Sequence, residues 1–212
     1  MQTFDRVSIK QEAKNILSRN MGACIGMVLA ITIAELVLTF VSAGILVAIM
    51  NGVISVTGAC FFLYSWREQN ITISDAVSNT FDQNFLRKLG GMLWMELKIF
   101  LWSLMFVIPG IIKAFAYAQT RYILAEFPNV PAMEACEISE RMMRGHKTDY
   151  FVLQLSFLGW ALLSAFSGGI LYVLYAGPYM ELTYAGVYEE VKQIALDTGV
   201  VTMEELTERR FG

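Results

Sequence analysis

Three long apolar blocks, each introduced by a short polar segment, set the plan of this chain. From Met21 to Trp66 only Glu35 and Asn51 interrupt the hydrophobicity. One helix of that length would be about 69 Å long, more than twice the ~30 Å of a bilayer's hydrocarbon core. The block therefore reads as two helices, with the small residues between Ser42 and Gly52 as the reversal. A second block runs from Leu89 to Phe127 and is interrupted at Pro109-Gly110. A third runs from Tyr150 to about Tyr188, with Ser167-Gly168-Gly169 in its middle. The pattern predicts an all-α, polytopic membrane bundle of about six helices in three hairpins.

The polar segments share a form. SIKQEAKNILSRN, TISDAVSNTFDQNFLRKL and NVPAMEACEISERMMRGHK each read as a short amphipathic helix lying on the cytoplasmic face. Ser8–Gln11, Thr72–Asp75 and Thr202–Glu205 have capping-box spacing, in which a hydroxyl and a side chain three residues on satisfy each other's backbone N–H. Pro131 suits a first helical turn, and Ala135, Ile138 and Met142 share one face at helical spacing. Residues 1–20 form a cytoplasmic amphipathic segment, 21–190 a single six-helix membrane domain, and 191–212 a short acidic cytoplasmic tail. The order of amphipathic helix and hairpin occurs three times, although the three units have little sequence in common.

Composition supports the same solvent. Of 212 residues 56% are apolar and only 17% charged, against roughly 45–50% and 25% in soluble domains. The mean hydropathy is +0.50, and a chain this short cannot hide so much apolar surface from water. A net charge of −3 removes the electrostatic case for nucleic acid. The first apolar run is too long for the ~7–15-residue core of a signal peptide, so it reads as retained. Cys24, Cys60 and Cys136 are widely spaced and form neither a disulfide framework nor a metal motif.

Basic residues orient the bundle. Arg6, Lys10, Lys14 and Arg19 precede the first block, and Arg67, Arg87 and Lys88 lie between the first and second. Arg141, Arg144 and Lys147 lie between the second and third, and Lys192, Arg209 and Arg210 follow. The hairpin tips carry no Lys or Arg except Lys113. The positive-inside rule then places both termini and both long loops in the cytoplasm of a bacterial inner membrane.

Six charges fall at membrane depth: Glu35, Glu96, Lys98, Lys113, Arg121 and Glu181. A central Lys or Arg costs roughly 2.5–3.5 kcal/mol, while each large aliphatic side chain returns only about 0.3–0.6. Such groups pair in the bundle interior or line a pathway. They fit either a polar cavity for a lipid or amphiphile, or ion pairs that hold the helices together. Pro178, Tyr179 and Glu181 place a kink and an acid in the last helix, which suits a cavity wall or a packing kink. A second group, Arg141, Arg144, His146 and Lys147, is crowded beside the third block. It suits contact with anionic headgroups, or docking of a protein partner. A lone histidine without Cys or His at ligand spacing is a poor metal site, and no nucleophile elbow accompanies it. No catalytic residue, metal ligand or cofactor site is expected, and the natural partners are membrane lipids.

Several residues carry a family resemblance: Pro109-Gly110, Tyr117, Ser139, Met143-x-Gly145-His146-Lys147, Ser156-Phe157-x-Gly159-Trp160, Pro178-Tyr179 and Tyr188-Glu189. From about Leu89 to Glu190 the chain resembles a family of bacterial integral membrane proteins classed as a domain of unknown function. The resemblance implies a multi-pass helical protein and assigns no activity. The chain is also distantly similar to the membrane portion of certain glycerophosphodiester phosphodiesterases. Their catalytic domain has no counterpart in these residues, so that enzyme's activity does not carry over. The functional expectation is a non-enzymatic membrane component that binds or moves a lipid or amphiphile. The alternative is a scaffold or accessory subunit.

Overall fold

The computed structural model describes residues 3–41, 45–69, 71–105 and 107–207. Among them the chain is helical throughout, with no strand. The elements are α1 (Arg6–Arg19), α2 (Met21–Val41), α3 (Ile45–Trp66), α4 (Ile73–Thr80), α5 (Phe85–Met105), α6 (Val107–Ala116) and α7 (Thr120–Glu126). They continue with α8 (Ala132–Met142), α9 (Lys147–Leu155), α10 (Leu158–Phe166), a π-helical turn at Tyr172–Ala176, α11 (Gly177–Asp197) and α12 (Met203–Thr207).

α3 is the central element and touches α2, α4, α5, α7 and α11, while α1 lies along α11. The core is built where these helices meet. Phe61, Phe62 and Leu63 of α3 pack with Tyr122, Ile123 and Leu124 of α7 and Tyr188 of α11. Ile9, Ala13, Ile16 and Leu17 form the buried stripe of α1 at helical spacing. The polar face of that helix stays outside, so the expected amphipathic character is realised. Short helices α1, α4 and α8 precede the three apolar blocks, and Ala135, Ile138 and Met142 of α8 are all buried.

By length and composition two helices are able to cross a membrane, Ile49–Trp66 and the nearly continuous Lys147–Phe166. A third span is possible if Arg6–Arg19 and Met21–Leu36, bent by 98°, count as one. The expected six spans are therefore not reached on that criterion. Charge is the reason in two cases. α5 carries Arg87, Lys88, Glu96 and Lys98, and α11 carries Glu181, Glu189, Glu190 and Lys192. In the second hairpin the return segment is not one helix: α6 ends at Ala116 and α7 starts at Thr120. Ser139 of α8 clasps this break. Its hydroxyl donates to the Ala116 carbonyl (2.9 Å) and accepts from the Gln119 N–H (3.2 Å).

Pro109-Gly110 is likewise not a reversal. Both residues lie in the first turn of α6, where a proline's missing N–H costs no helical bond. The glycine is required by the close approach of α5: a Cβ at Gly110 would stand 2.2 Å from the Ser103 hydroxyl. In the first hairpin, Ile45–Gly52 already belongs to α3, and 42–44 lie outside the described residues. The third reversal falls where expected, with Gly168 and Gly169 in left-handed backbone. Pro178 sits at the start of α11, directly behind the π-helical turn, which absorbs the backbone bond that proline cannot make.

The capping expectations divide. Thr72–Asp75 is a complete capping box. Ser8–Gln11 is not, because Asp5 caps α1 instead and accepts from the Val7 N–H at 2.9 Å. At Thr202–Glu205 the hydroxyl accepts from the Glu205 N–H (3.2 Å), but the Glu205 carboxylate turns to Arg141. Pro131 is the residue preceding α8's first turn.

Exposed apolar side chains are concentrated on the outer faces. Leu29, Ile33 and Leu36 project from α2, and Leu97, Phe100, Leu101 and Leu104 from α5. Phe151, Val152, Leu155, Leu158, Leu162, Leu163 and Phe166 project from α9–α10. An apolar surface this extensive is unusual against water and suits a hydrocarbon solvent.

Candidate functional site: a polar cavity between α2, α3, α7 and α11

Three of the six charges read at membrane depth meet on one cavity. Glu35 from α2, Arg121 from α7 and Glu181 from α11 line a space of about 130 Å³, with Asn51 and Ser55 from α3 and Tyr172 from the π-helical turn. Val28, Ile31 and Ile54 supply its apolar wall. Arg121 Nη2 donates to Glu181 Oε2 at 3.0 Å and to the Tyr122 hydroxyl at 2.9 Å. An apolar recess of about 190 Å³ lies on the other side of the α2–α3 seam, lined by Met27, Ala34, Val53, Val77 and Phe81 among others. Ile31 and Ile54 are common to both walls.

The other three charges are elsewhere. Lys113 Nζ pairs with Glu140 of α8 at 2.6 Å and lies over the rings of Trp102 (5.3 Å) and Tyr117 (5.5 Å). Lys98 lies over Trp94 (5.4 Å) and Tyr117 (5.5 Å), a cation–π arrangement that substitutes for a carboxylate partner. Glu96 makes no ion pair or hydrogen bond among the described residues. Apart from Glu96, the charges thus divide between a cavity and an aromatic-lined seam of α5, α6 and α8.

Of the basic group beside the third block, Arg141, Arg144 and His146 line a separate cavity of about 180 Å³ with Met142, Ile194, Ala195, Thr198 and Val200. Lys147 is not part of that lining; it opens α9. His146 is only 5% exposed, with its ring tilted against Phe4 at 6.0 Å. Burial holds its pKa below the ordinary histidine value, and Asp149 pulls the other way.

Two arrangements had no sequence signal. Glu126 of α7 accepts from Arg67, Lys192 (3.0 Å) and the Tyr188 hydroxyl, and Glu189 accepts from Arg67 and lies 2.9 Å from Lys192. This closed network ties α3, α7 and α11 together. Arg87 and Lys88, read as basic residues of the cytoplasmic loop between the first and second blocks, are turned inward. Arg87 donates to the Leu124 (3.0 Å) and Val130 (2.7 Å) carbonyls, and Lys88, 4% exposed, pairs with Asp82 at 3.1 Å. Most of these partners lie 37 to 122 residues apart and leave no local pattern; Lys192–Glu189 and Lys88–Asp82, three and six residues apart, are the local exceptions. Of the cavity's uncharged polar lining, Asn51 was visible in the sequence as a polar interruption.

Residues 104–195 match the family model described as "Protein of unknown function (DUF975)". That span holds Lys113, Arg121, the Arg141–Lys147 group and Glu181, and leaves out Glu35, Glu96 and Lys98. The description assigns no activity. Neither the curated proteins nor the solved structures gave a match, so the likeness to glycerophosphodiester phosphodiesterases gains no support from them.

Proposed function

We propose that the chain is a six-pass protein of the bacterial inner membrane, with both termini cytoplasmic, that binds an amphiphile and handles it without covalent chemistry. The crossings would be α2, α3, α5, α6–α7, α9–α10 and the π-helical turn with the first half of α11. The observation that carries the reading is the convergence of Glu35, Arg121 and Glu181 on one cavity enclosed by apolar helices. Charge at this depth is costly enough that a cavity lined by three such groups suits a ligand. At about 130 Å³ the space takes a headgroup and not a whole lipid. The hydrocarbon part would lie along the exposed apolar face of α2, and the polar lining favours a polar headgroup.

Native mass spectrometry of the detergent-solubilised protein tests this. A reproducibly retained amphiphile that is lost in Arg121→Gln, with the thermal midpoint little changed, supports the reading; a protein that carries no such species sinks it. Orientation is checked separately with Arg144→Cys. The native cysteines Cys24, Cys60 and Cys136 are buried, so labelling of that variant from outside intact cells would reverse the proposed topology.

The scaffold alternative draws on a different observation. The Lys113–Glu140 pair and the Glu126 network join different helices through partnered charges, which suits a packing role. It would gain if Arg121→Gln changed stability and no bound species.

A further inference from the structure

The cavity beside the C-terminal end of α8 has features that the amphiphile reading does not use. It is walled by two guanidinium-bearing side chains, Arg141 and Arg144, and by His146. Arg144 is exposed and makes no ion pair among the described residues. His146 is 95% buried, and its Nδ1 has no hydrogen-bond partner among the described residues. A buried polar atom without a partner normally costs stability, so an unsatisfied imidazole on a cavity wall calls for an explanation. The rest of the lining, Met142, Ile194, Ala195 and Val200, is apolar. Arg141 already holds one anion of the chain itself: it pairs with Glu205 of α12 and donates to the Val200 carbonyl at 3.3 Å. The tail is seated for this contact by the buried side chains of Val201 and Leu206 and by Asn129, which donates to the Thr207 carbonyl at 2.8 Å.

We propose that this cavity is a binding site for a phosphate monoester, and that Glu205 of the chain's own tail is its internal competitor. Two arginines beside an imidazole match the tetrahedral oxyanion, because each guanidinium presents paired donors to phosphate oxygens. The apolar lining takes the carbon of the ester. A volume of about 180 Å³ admits such a group, being several times the ~30 Å³ share of one water. When the ligand engages Arg141, Glu205 is displaced and α12 loses its ionic tether, so occupancy is coupled to the position of the tail. The site stands apart from the polar cavity and does not depend on what binds there. The same chemistry is offered by a lipid such as phosphatidic acid and by a soluble phosphate.

The chain has a single histidine, so the imidazole resonances of the full protein report on this site alone. In phosphatidylcholine nanodiscs, at fixed pH and ionic strength, titration with inorganic phosphate is expected to shift them saturably. Arg144→Ala, at an exposed position, should weaken binding about tenfold or more, the loss of one charge-assisted contact. Glu205→Gln should strengthen it several-fold. If free phosphate gives no shift but nanodiscs of phosphatidylcholine and phosphatidic acid in nine-to-one ratio do, the ligand is the lipid headgroup. Silence in both arms overturns the site, as does a shift that Arg144→Ala leaves intact. An unchanged affinity in Glu205→Gln overturns the competition.

Discussion

α7 and α11 meet twice, and the two meetings use charge in opposite ways. At one, Glu126 and Glu189 are saturated by Arg67, Lys192 and the Tyr188 hydroxyl. At the other, Arg121 and Glu181 pair at 3.0 Å and border a cavity shared with Glu35 and Asn51. The regions are joined by the Tyr122–Tyr188 stack, whose ring centres are 5.1 Å apart. Both are ion pairs of comparable burial, so burial does not separate them. What differs is that the side chains of the first turn to one another, whereas those of the second line a cavity. A closed network serves rigidity, and an open one is what the proposed amphiphile site requires.

Stability should part the two regions most sharply. Glu126→Ala leaves Arg67 and Lys192 with Glu189 alone and should cost about 3 kcal/mol, the lower end for breaking a buried pair; the check is thermal and SDS-induced unfolding in detergent. Tyr188→Phe removes one hydrogen bond to a charged acceptor and should cost about 1.5 kcal/mol in the same assay. Both variants should keep any amphiphile that the wild-type protein retains. A loss of ligand with either one would mean that the closed network is part of the site.

On the cavity side, Asn51→Leu should have the reverse profile. It fills polar space with a branched apolar side chain, so the unfolding midpoint should stay near the wild type while the bound species disappears from the native mass spectrum. The smallest effect belongs to neither region. His146 is held neutral by burial, so its folded pKa lies below the ~6.5 of an unfolded histidine. Below about pH 6.5 the unfolded chain binds more protons than the folded one, so this contribution to stability is present above that pH and lost on acidification. His146→Phe should flatten the unfolding midpoint between about pH 7.5 and 5.5, and an unflattened profile would assign that slope to other groups.

The contrast also shows how far the chain could be read without its fold. Glu35, Arg121 and Glu181 stood out because charge inside an apolar run is conspicuous, and all three line the cavity. Nothing local said that Lys113 would choose Glu140, or that Lys98 would rest on Trp94 and Tyr117. Arg67, Arg87 and Lys88 were legible as basic residues flanking a block, which is an address on the membrane face. The partners of Arg67 and Arg87, namely Glu126, Glu189 and the Leu124 and Val130 carbonyls, come from distant parts of the chain, so their packing roles were invisible; Lys88 turns to the nearby Asp82.

Sequence by itself determined the helical class, the three blocks, the amphipathic stripes of α1, α4 and α8, the Thr72–Asp75 cap and the Gly168-Gly169 reversal. Each depends on hydrophobic periodicity or on backbone chemistry within a few residues. Tertiary structure alone decided that Pro109-Gly110 opens a helix, that the α6–α7 segment breaks where Ser139 can clasp it, and which acid each base receives. Those choices are set by the space and the donors that distant helices bring together, and no short window of the chain contains them.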